Sequence, residues 1–318
     1  MRAAIIGVRW PDVDLERGIL GLAENEIVRD PGATRQDLLT AASGADVILA
    51  GPRPRFDAST IESLSCRGIV RYGAGYDNID VAAAHRKGMV VGYVPDYGTE
   101  AVALHAVSLA LVLLRRIPQA DRQLKAGEWG LEALGPLHLP SVLTAGVVGF
   151  GRIGRRTAEH FIALGFGHVL AYDEVEVSAP GAEPASLQAV LAGSDIVSLH
   201  ASGVADGDPI IGPIEIDLMK PGSILVNTAR GSLVDTDALL GGLRNGRPAA
   251  AALDVFDQEP PGPDRFADVA DRIIMTPHMA WYTQETELEL RTKTAEEARR
   301  ILDGEPVAHP VPSMEVSS

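Results

Sequence analysis

The chain is poor in cysteine, in aromatics and in positive charge, and it has no long apolar run. Cys66 is its one cysteine in 318 residues. No disulfide can therefore form within the chain, and Cys66 reads most simply as a small buried or half-buried residue. No CxxC or HExxH occurs and the 8 histidines are scattered, which leaves no metal-binding motif. Lys and Arg number 28 against 43 Asp and Glu, a net charge of −15. Such a surface disfavours nucleic acid and anionic membrane as partners. The longest apolar run, Ala103–Leu114, is too short to span a bilayer. A strand-like segment at Ala3–Val8 follows the first residues with no signal sequence before it, so a cytoplasmic enzyme is expected.

What the chain does have is an alternation of short apolar segments with helical ones, punctuated by glycine. Strands are expected at Ala3–Val8, Val47–Ala50, Ile69–Tyr72 and Met89–Val94. Helices are expected near Thr34–Ser43, Ala58–Leu64 and Val81–Lys87. Thr99 then reads as the cap of a long helix, Glu100–Arg116, closed by two arginines and Pro118. Its apolar residues run nearly all the way round, which asks for burial on several sides, between domains or in a subunit interface. A second series follows, with strands at Ala145–Val148, His168–Tyr172, Ile196–His200, Ile224–Thr228, Ala250–Val255 and Ile273–Thr276, and a last helix at Gln284–Asp303. This is the pattern of an α/β protein with parallel sheets, in two similar halves.

The second half opens on Gly149-Phe-Gly-Arg-Ile-Gly154, between the strand Ala145–Val148 and a helix. In a dinucleotide fingerprint Gly149 makes the tight turn, Gly151 lets the backbone approach a pyrophosphate, and Gly154 lets the helix pack on its strand. The pyrophosphate then rests on the unpaired N–H groups at the positive end of the helix. The next strand ends in Asp173, about 20 residues past the third glycine, where a carboxylate meets the adenosine ribose hydroxyls. A 2′-phosphate would be repelled there, so the expected cofactor is NAD.

Three further segments leave strand ends. Arg230 can hold a carboxylate through two parallel hydrogen bonds. His278 can give a proton to a carbonyl oxygen and take it back. Glu259 can fix the imidazole tautomer and stabilise the imidazolium. Taken singly, each fits an ordinary structural role: a surface arginine, a satisfied histidine, a solvated loop carboxylate. Together, at the exits of a dinucleotide-binding sheet, they make a carboxylate binder, an acid/base and its partner.

Here the sequence resembles the D-isomer-specific 2-hydroxyacid dehydrogenases over nearly its whole length. Arg71-Tyr-Gly-Ala-Gly-Tyr-Asp-Asn-Ile-Asp80, Gly149–Gly154, Met219-Lys-Pro-Gly222, Asn227-Thr-Ala-Arg-Gly231, Ala252-Leu-Asp-Val-Phe256, Glu259-Pro260 and Thr276-Pro-His278 look like its motifs in order. The resemblance implies reversible reduction of a 2-keto acid to a D-2-hydroxy acid, with Arg230 binding substrate, His278 donating the proton and Glu259 orienting it. It implies that the loop Tyr72 to Gly75, with Ala74 and Gly75, offers N–H groups to the substrate carboxylate. It places Arg152, Ile153, Asp173, His200, Thr228, Ala229 and Asp254 with the three glycines at the cofactor. It also implies a discontinuous substrate-binding domain, residues 1–98 and 284–318, with an NAD-binding Rossmann domain, residues 99–283, inserted.

His278-Met-Ala-Trp-Tyr282 is similar to the C-terminal-binding-protein branch, where the tryptophan lines the pocket. Trp281 is accordingly expected either to shape substrate choice or to be an ordinary packed aromatic. That likeness carries a second reading, an NAD(H)-sensing regulatory protein built on the same fold. After His200 the chain reads Ala-Ser-Gly-Val204 and lacks the proline of the family's loop. The apolar helix and the family pattern both suggest a homodimer.

Overall fold

The computed structural model describes residues 1–175, 177–202 and 207–312. The chain divides into two compact units, Met1–Gly98 with the segment from Thr283 onward, and the continuous stretch Thr99–Tyr282. Gly203 and Val204 of the loop after His200 lie outside the described residues.

In the first unit, strands β1 (Ala3–Ile6), β2 (Ile27–Asp30), β3 (Val47–Ala50), β4 (Gly68–Arg71) and β5 (Val90–Gly92) form a parallel sheet in the order β2-β1-β3-β4-β5. Helices α1 (Asp14–Leu20), α2 (Arg35–Ala42), α3 (Ala58–Ser63) and α4 (Val81–Arg86) connect them. Every residue of β1 and β3 is buried, as both faces of a parallel sheet are covered by its crossovers. The order reverses at β1, and the residues that follow β1 and β3 meet there main chain to main chain: a Cβ on Gly51 would lie 2.1 Å from the Gly7 carbonyl oxygen.

The second unit begins with α5 (Thr99–Leu114) and α6 (Ile117–Lys125). It continues as β6 (Thr144–Val148), α7 (Arg152–Ala163), β7 (His168–Tyr172), β8 (Glu183–Pro184), α8 (Leu187–Gly193), β9 (Ile196–Leu199), α9 (Pro213–Leu218), β10 (Ile224–Asn227), α10 (Thr236–Asn245), β11 (Ala250–Leu253) and β12 (Ile273–Met275). All seven strands are parallel, in the order β12-β11-β10-β9-β6-β7-β8. Its reversal falls between β6 and β9.

Two local expectations change. Thr99 is the first residue of α5 rather than a cap outside it. Pro118 does not stop a helix; it starts one. Arg116 turns the chain at φ 49°, and Pro118 sits in the first turn of α6, where a missing N–H costs nothing. Ala103, Ala106 and Ala110 of α5 are buried against α7, β10 and β11, but Leu104 is 53% exposed. No single helix among the described residues is long and apolar enough to cross a membrane.

The chain then returns to the first unit through α11 (Gln284–Asp303), capped by the Thr283 hydroxyl on the Thr286 N–H and ended by Gly304 in the left-handed conformation. Leu290, Ala295, Ala298, Ile301 and Leu302 are buried, and the helix packs on α1, β3 and β4. Residues 309–311 run back along β5, with Tyr93 N–H on the His309 carbonyl at 3.2 Å and Val311 N–H on Val91 at 2.8 Å.

The contact of α1 with α11 contains a buried charge pair. Glu16 is fully buried, and the Arg291 guanidinium donates to both of its oxygens at 2.9 and 2.8 Å. Tyr72 donates its hydroxyl to the same carboxylate at 3.1 Å. Arg291 also lies over the Trp10 ring at 5.5 Å. Burial, and then the charge of Glu16, push the Tyr72 phenol well above its ordinary range. Removing one member of such a pair strands the other. Arg291→Met should lower stability by about 3–5 kcal/mol in urea unfolding, and adding Glu16→Leu should restore most of it. A single variant no less stable than the double would remove the pair from this role.

Candidate active site

The Gly149–Gly154 turn sits where the second sheet reverses. Gly149 has φ +90°, and a Cβ there would lie 2.2 Å from the Ala201 nitrogen. A Cβ on Gly154 would lie 2.0 Å from the Gly149 carbonyl oxygen. Only glycine permits these approaches. At Gly151 nothing lies within 4 Å of the Cβ position, and the first turn of α7 has no side-chain cap. Its amides are thus open to an anion, with Arg152 exposed and Ile153 half-buried in that turn. Asp173 holds the turn from the side: its carboxylate accepts from the Phe150 N–H at 2.5 Å and the Val175 N–H at 3.2 Å.

Two enclosed polar atoms stand just past the ends of the neighbouring strands β9 and β10. The Thr228 hydroxyl and the His200 Nδ1 have no partner among the described residues. The other ring nitrogen of His200 meets the Ser198 hydroxyl at 2.8 Å. Burial pushes the His200 imidazole down from 6.5 to about 3. An open helix end, a glycine with room at its Cβ and two unpaired polar groups fit the dinucleotide that the sequence suggests.

The loops after β10 and β11 carry Arg230 and Glu259. A Cβ on Gly231 would lie 1.9 Å from the Phe256 carbonyl carbon, so glycine lets these loops touch. Asn227, fully buried, folds its loop back: its amide donates to the Arg230 carbonyl at 2.8 Å and its oxygen accepts from the Ala229 N–H at 3.0 Å. Glu259 accepts from the Phe256 N–H at 3.1 Å, and its other oxygen lies 2.8 Å from His278 Nδ1. Burial opposes the Glu259 charge, but the hydrogen bond and charge of His278, the Phe256 N–H and the charge of Arg230 together hold its carboxyl below the ordinary value. With an ionised acceptor on Nδ1, that nitrogen carries a proton and the tautomer is fixed. Arg230, Glu259 and His278 form one cluster, with His278 47% and Glu259 39% exposed at the side chain.

His278 has φ 52°, a left-handed conformation that costs a non-glycine residue energy and must be held by its surroundings. Asp254 holds it. The His278 N–H donates to the Asp254 carbonyl at 2.8 Å. The Met279 and Ala280 N–H groups donate to the Asp254 carboxylate at 2.9 and 2.8 Å, and the Thr276 hydroxyl donates to it as well. His105 of α5 lies 3.2 Å from that hydroxyl. The family resemblance implies Asp254 at the cofactor. Here it is fully buried, and its carboxylate is taken up by the turn that carries His278. Asn227, Thr276 and His105 were not among the expected site residues. Asn227 and Thr276 stood inside the motifs, where an Asn or Thr at a strand exit signals a side chain bonded to its own loop. His105 had no local signal, since it lies inside an apolar helix.

In the first unit Tyr72 is committed elsewhere. Its hydroxyl is on Glu16 and its N–H donates to Ala50 at 2.9 Å. The Gly73 N–H is bonded to the Arg71 carbonyl at 3.0 Å. Ala74 is exposed and Gly75 half-buried, with no N–H partner among the described residues. Of that loop, these two amides are the ones open to a ligand. Trp281 of the second unit is half-buried and meets the Tyr282 ring edge-on at 5.6 Å.

Residues 107–280 match the family model described as D-isomer specific 2-hydroxyacid dehydrogenase, NAD binding domain. The chain is 37% identical over 300 residues to the D-3-phosphoglycerate dehydrogenase of Archaeoglobus fulgidus, covering 92% of this chain and 56% of that one. It therefore spans little more than half the length of that relative. It is 38% identical to the glyoxylate reductase of Aeropyrum pernix, covering 82% of this chain and 81% of that one. Among solved structures, the D-lactate dehydrogenase of Aquifex aeolicus, complexed with NAD and lactic acid, superposes with a TM-score of 0.85 at 27% identity, covering 95% of this chain and 96% of that one.

The depressed His200 imidazole ties stability to pH. Its folded value of about 3 lies below its ordinary 6.5, so the unfolded chain binds the extra proton. This contribution is intact above about pH 6.5 and is lost as pH falls toward 3. At pH 5 the loss is about 2 kcal/mol. Urea unfolding at pH 7.5 and pH 5 should show His200→Asn losing about that much less than the parent chain on acidification. Equal losses in the two proteins would contradict this.

Proposed function

The chain belongs to the D-isomer-specific 2-hydroxyacid dehydrogenase family, and from that premise we propose that it interconverts a 2-keto acid and a D-2-hydroxy acid, with His278 as acid/base and Arg230 as carboxylate binder. The observation that carries this is the 2.8 Å contact of Glu259 with His278 Nδ1. It leaves Nε2 as the ring nitrogen for the substrate oxygen. The α7 N-terminus, Asp173, Thr228, Ala229 and His200 would hold the dinucleotide, which when bound would supply the hydride for the keto carbon.

The protein's own residues do the rest. Arg230 takes the substrate carboxylate by paired charge-assisted hydrogen bonds and draws electron density from the neighbouring carbonyl. The His278 imidazolium donates the Nε2 proton to the carbonyl oxygen as negative charge builds there, so that C=O becomes CH–OH. Glu259 stabilises the imidazolium before transfer and keeps the ring oriented after it. Asp254 positions His278 without touching substrate. The Ala74 and Gly75 amides are the further carboxylate donors of this reading, and Trp281 shapes the side-chain pocket.

Loss of a positioned acid costs ~10²–10⁴-fold in rate. His278→Ala should cut NADH oxidation with glyoxylate, hydroxypyruvate or pyruvate by that factor and leave NADH affinity nearly unchanged. Turnover equal to the parent's would sink the assignment. No oxidation by the parent with any 2-keto acid, alongside tight NADH binding, would instead favour the NAD(H)-sensing reading.

We also propose a homodimer. Ile117 and Leu124 of α6 are 52% and 59% exposed, and Trp129, Leu131 and Leu139 are 92%, 76% and 67% exposed. So much exposed apolar surface marks a covered face. Light scattering should give twice the 33.6 kDa chain mass; a monomer at micromolar concentration would overturn this.

A further inference from the structure

The first unit has a cavity of about 180 Å³ between the turn after β2 and the turn after β3, lined by Thr34, Arg35, Arg53, Pro54, Arg55 and Asp57 among others. Three guanidiniums around one small cavity are conspicuous in a chain with a net charge of −15. Arg53 and Arg55 make no ion pair or hydrogen bond among the described residues. Arg35 donates to the Thr60 hydroxyl at 3.1 Å and to the Ser59 carbonyl at 3.0 Å, and its charge adds, to the larger effect of the Thr60 N–H, a smaller push that holds the Asp57 carboxyl below its ordinary value. Asp57, the one acid in the lining, is occupied. It accepts from the Thr60 N–H at 2.8 Å and the Ser59 hydroxyl at 2.9 Å, where it caps α3.

The arginines stand on a rigid base. Pro54 is buried. Cβ atoms added to Gly7 and Gly32 would come within 2.4 and 2.9 Å of its ring, so two neighbouring turns close on it. Proline fixes its own φ and limits the residue before it to extended conformations. Arg53, between Pro52 and Pro54, therefore has its backbone set before any ligand arrives, and Arg55 is held from both sides by Asn78, whose amide donates to the Pro54 carbonyl at 2.8 Å and whose carbonyl accepts from the Phe56 N–H at 2.8 Å; both lower the ordering cost of binding.

We propose that this cavity binds a phosphate-class oxyanion, held by Arg53 and Arg55 with Arg35 behind them. Planar guanidinium forks match tetrahedral oxyanions, and three of them supply donors for more oxygens than one carboxylate carries. The site uses none of the residues assigned to hydride transfer, so it stands or falls separately from the proposed reaction.

The test is calorimetric titration of the full chain at constant ionic strength, with NADH saturating so that the α7 amides are occupied. Inorganic phosphate is one probe and glycerol 3-phosphate the other. The parent protein should saturate with at least one of them. Arg53→Ala/Arg55→Ala should weaken binding by about tenfold or more for each charge-assisted hydrogen bond it removes. Tighter binding of the ester identifies a phosphorylated metabolite as the source, and tighter binding of phosphate identifies the free ion; both support the site. No saturation by either probe overturns it. So does equal affinity in the double variant, once its NADH affinity shows it folded.

Discussion

Both candidate sites in this protein depend on how closely backbones approach where parallel strands end. Neighbouring strands lie about 4.8 Å apart, so the loops leaving them must touch main chain to main chain or splay. At Gly149, Gly154 and Gly231 they touch, and in each case a single methyl group would collide with backbone. The first two approaches shape the open end of α7. The third brings Arg230 beside Glu259. Gly51 against Gly7 does the same in the first sheet and anchors the base of the arginine-lined cavity. Chemistry comes from the long side chains, but their spacing comes from positions with no side chain at all.

Asp254 shows how a fully buried charge is tolerated when its valences are filled. Two backbone N–H groups and a hydroxyl converge on it, and the same residue's carbonyl holds the His278 N–H. A left-handed histidine is a stored cost, and this one carboxylate and carbonyl meet it from both sides. Glu16 in the first unit solves the same problem with a guanidinium and a phenol instead.

The parts of the fold legible in the sequence were those whose apolar run or stripe is bounded by a clear stop or cap, such as Gly51, Gly167, Thr283 and Gly304. Val47–Ala50, His168–Tyr172 and Gln284–Asp303 have the same bounds in the structure as the sequence pattern predicts. β2 escaped because it is an edge strand ending in Arg29 and Asp30. α1 escaped because its buried residues are Glu16 and Leu20, and a buried glutamate looks like a solvated face until Arg291 is seen beside it. α6 was hidden by reading Pro118 as a stop. At the site, the motif residues stood out because glycine, arginine and histidine at strand exits have few cheap structural uses. His105 did not, since only the tertiary fold takes it from the middle of an apolar helix to Thr276.

The return of α11 has a consequence for how the molecule is made. The second unit is one continuous segment and can complete its core as soon as it leaves the ribosome. The first cannot. Its strands β3 and β4 wait for Leu290, Ala295 and Ala298, and the edge at β5 waits for residues 309–311. Such distant partners make closure slow and leave the early sheet uncovered meanwhile. The N-terminal unit thus cannot complete its packing until α11 has been made, although its strands are synthesised first.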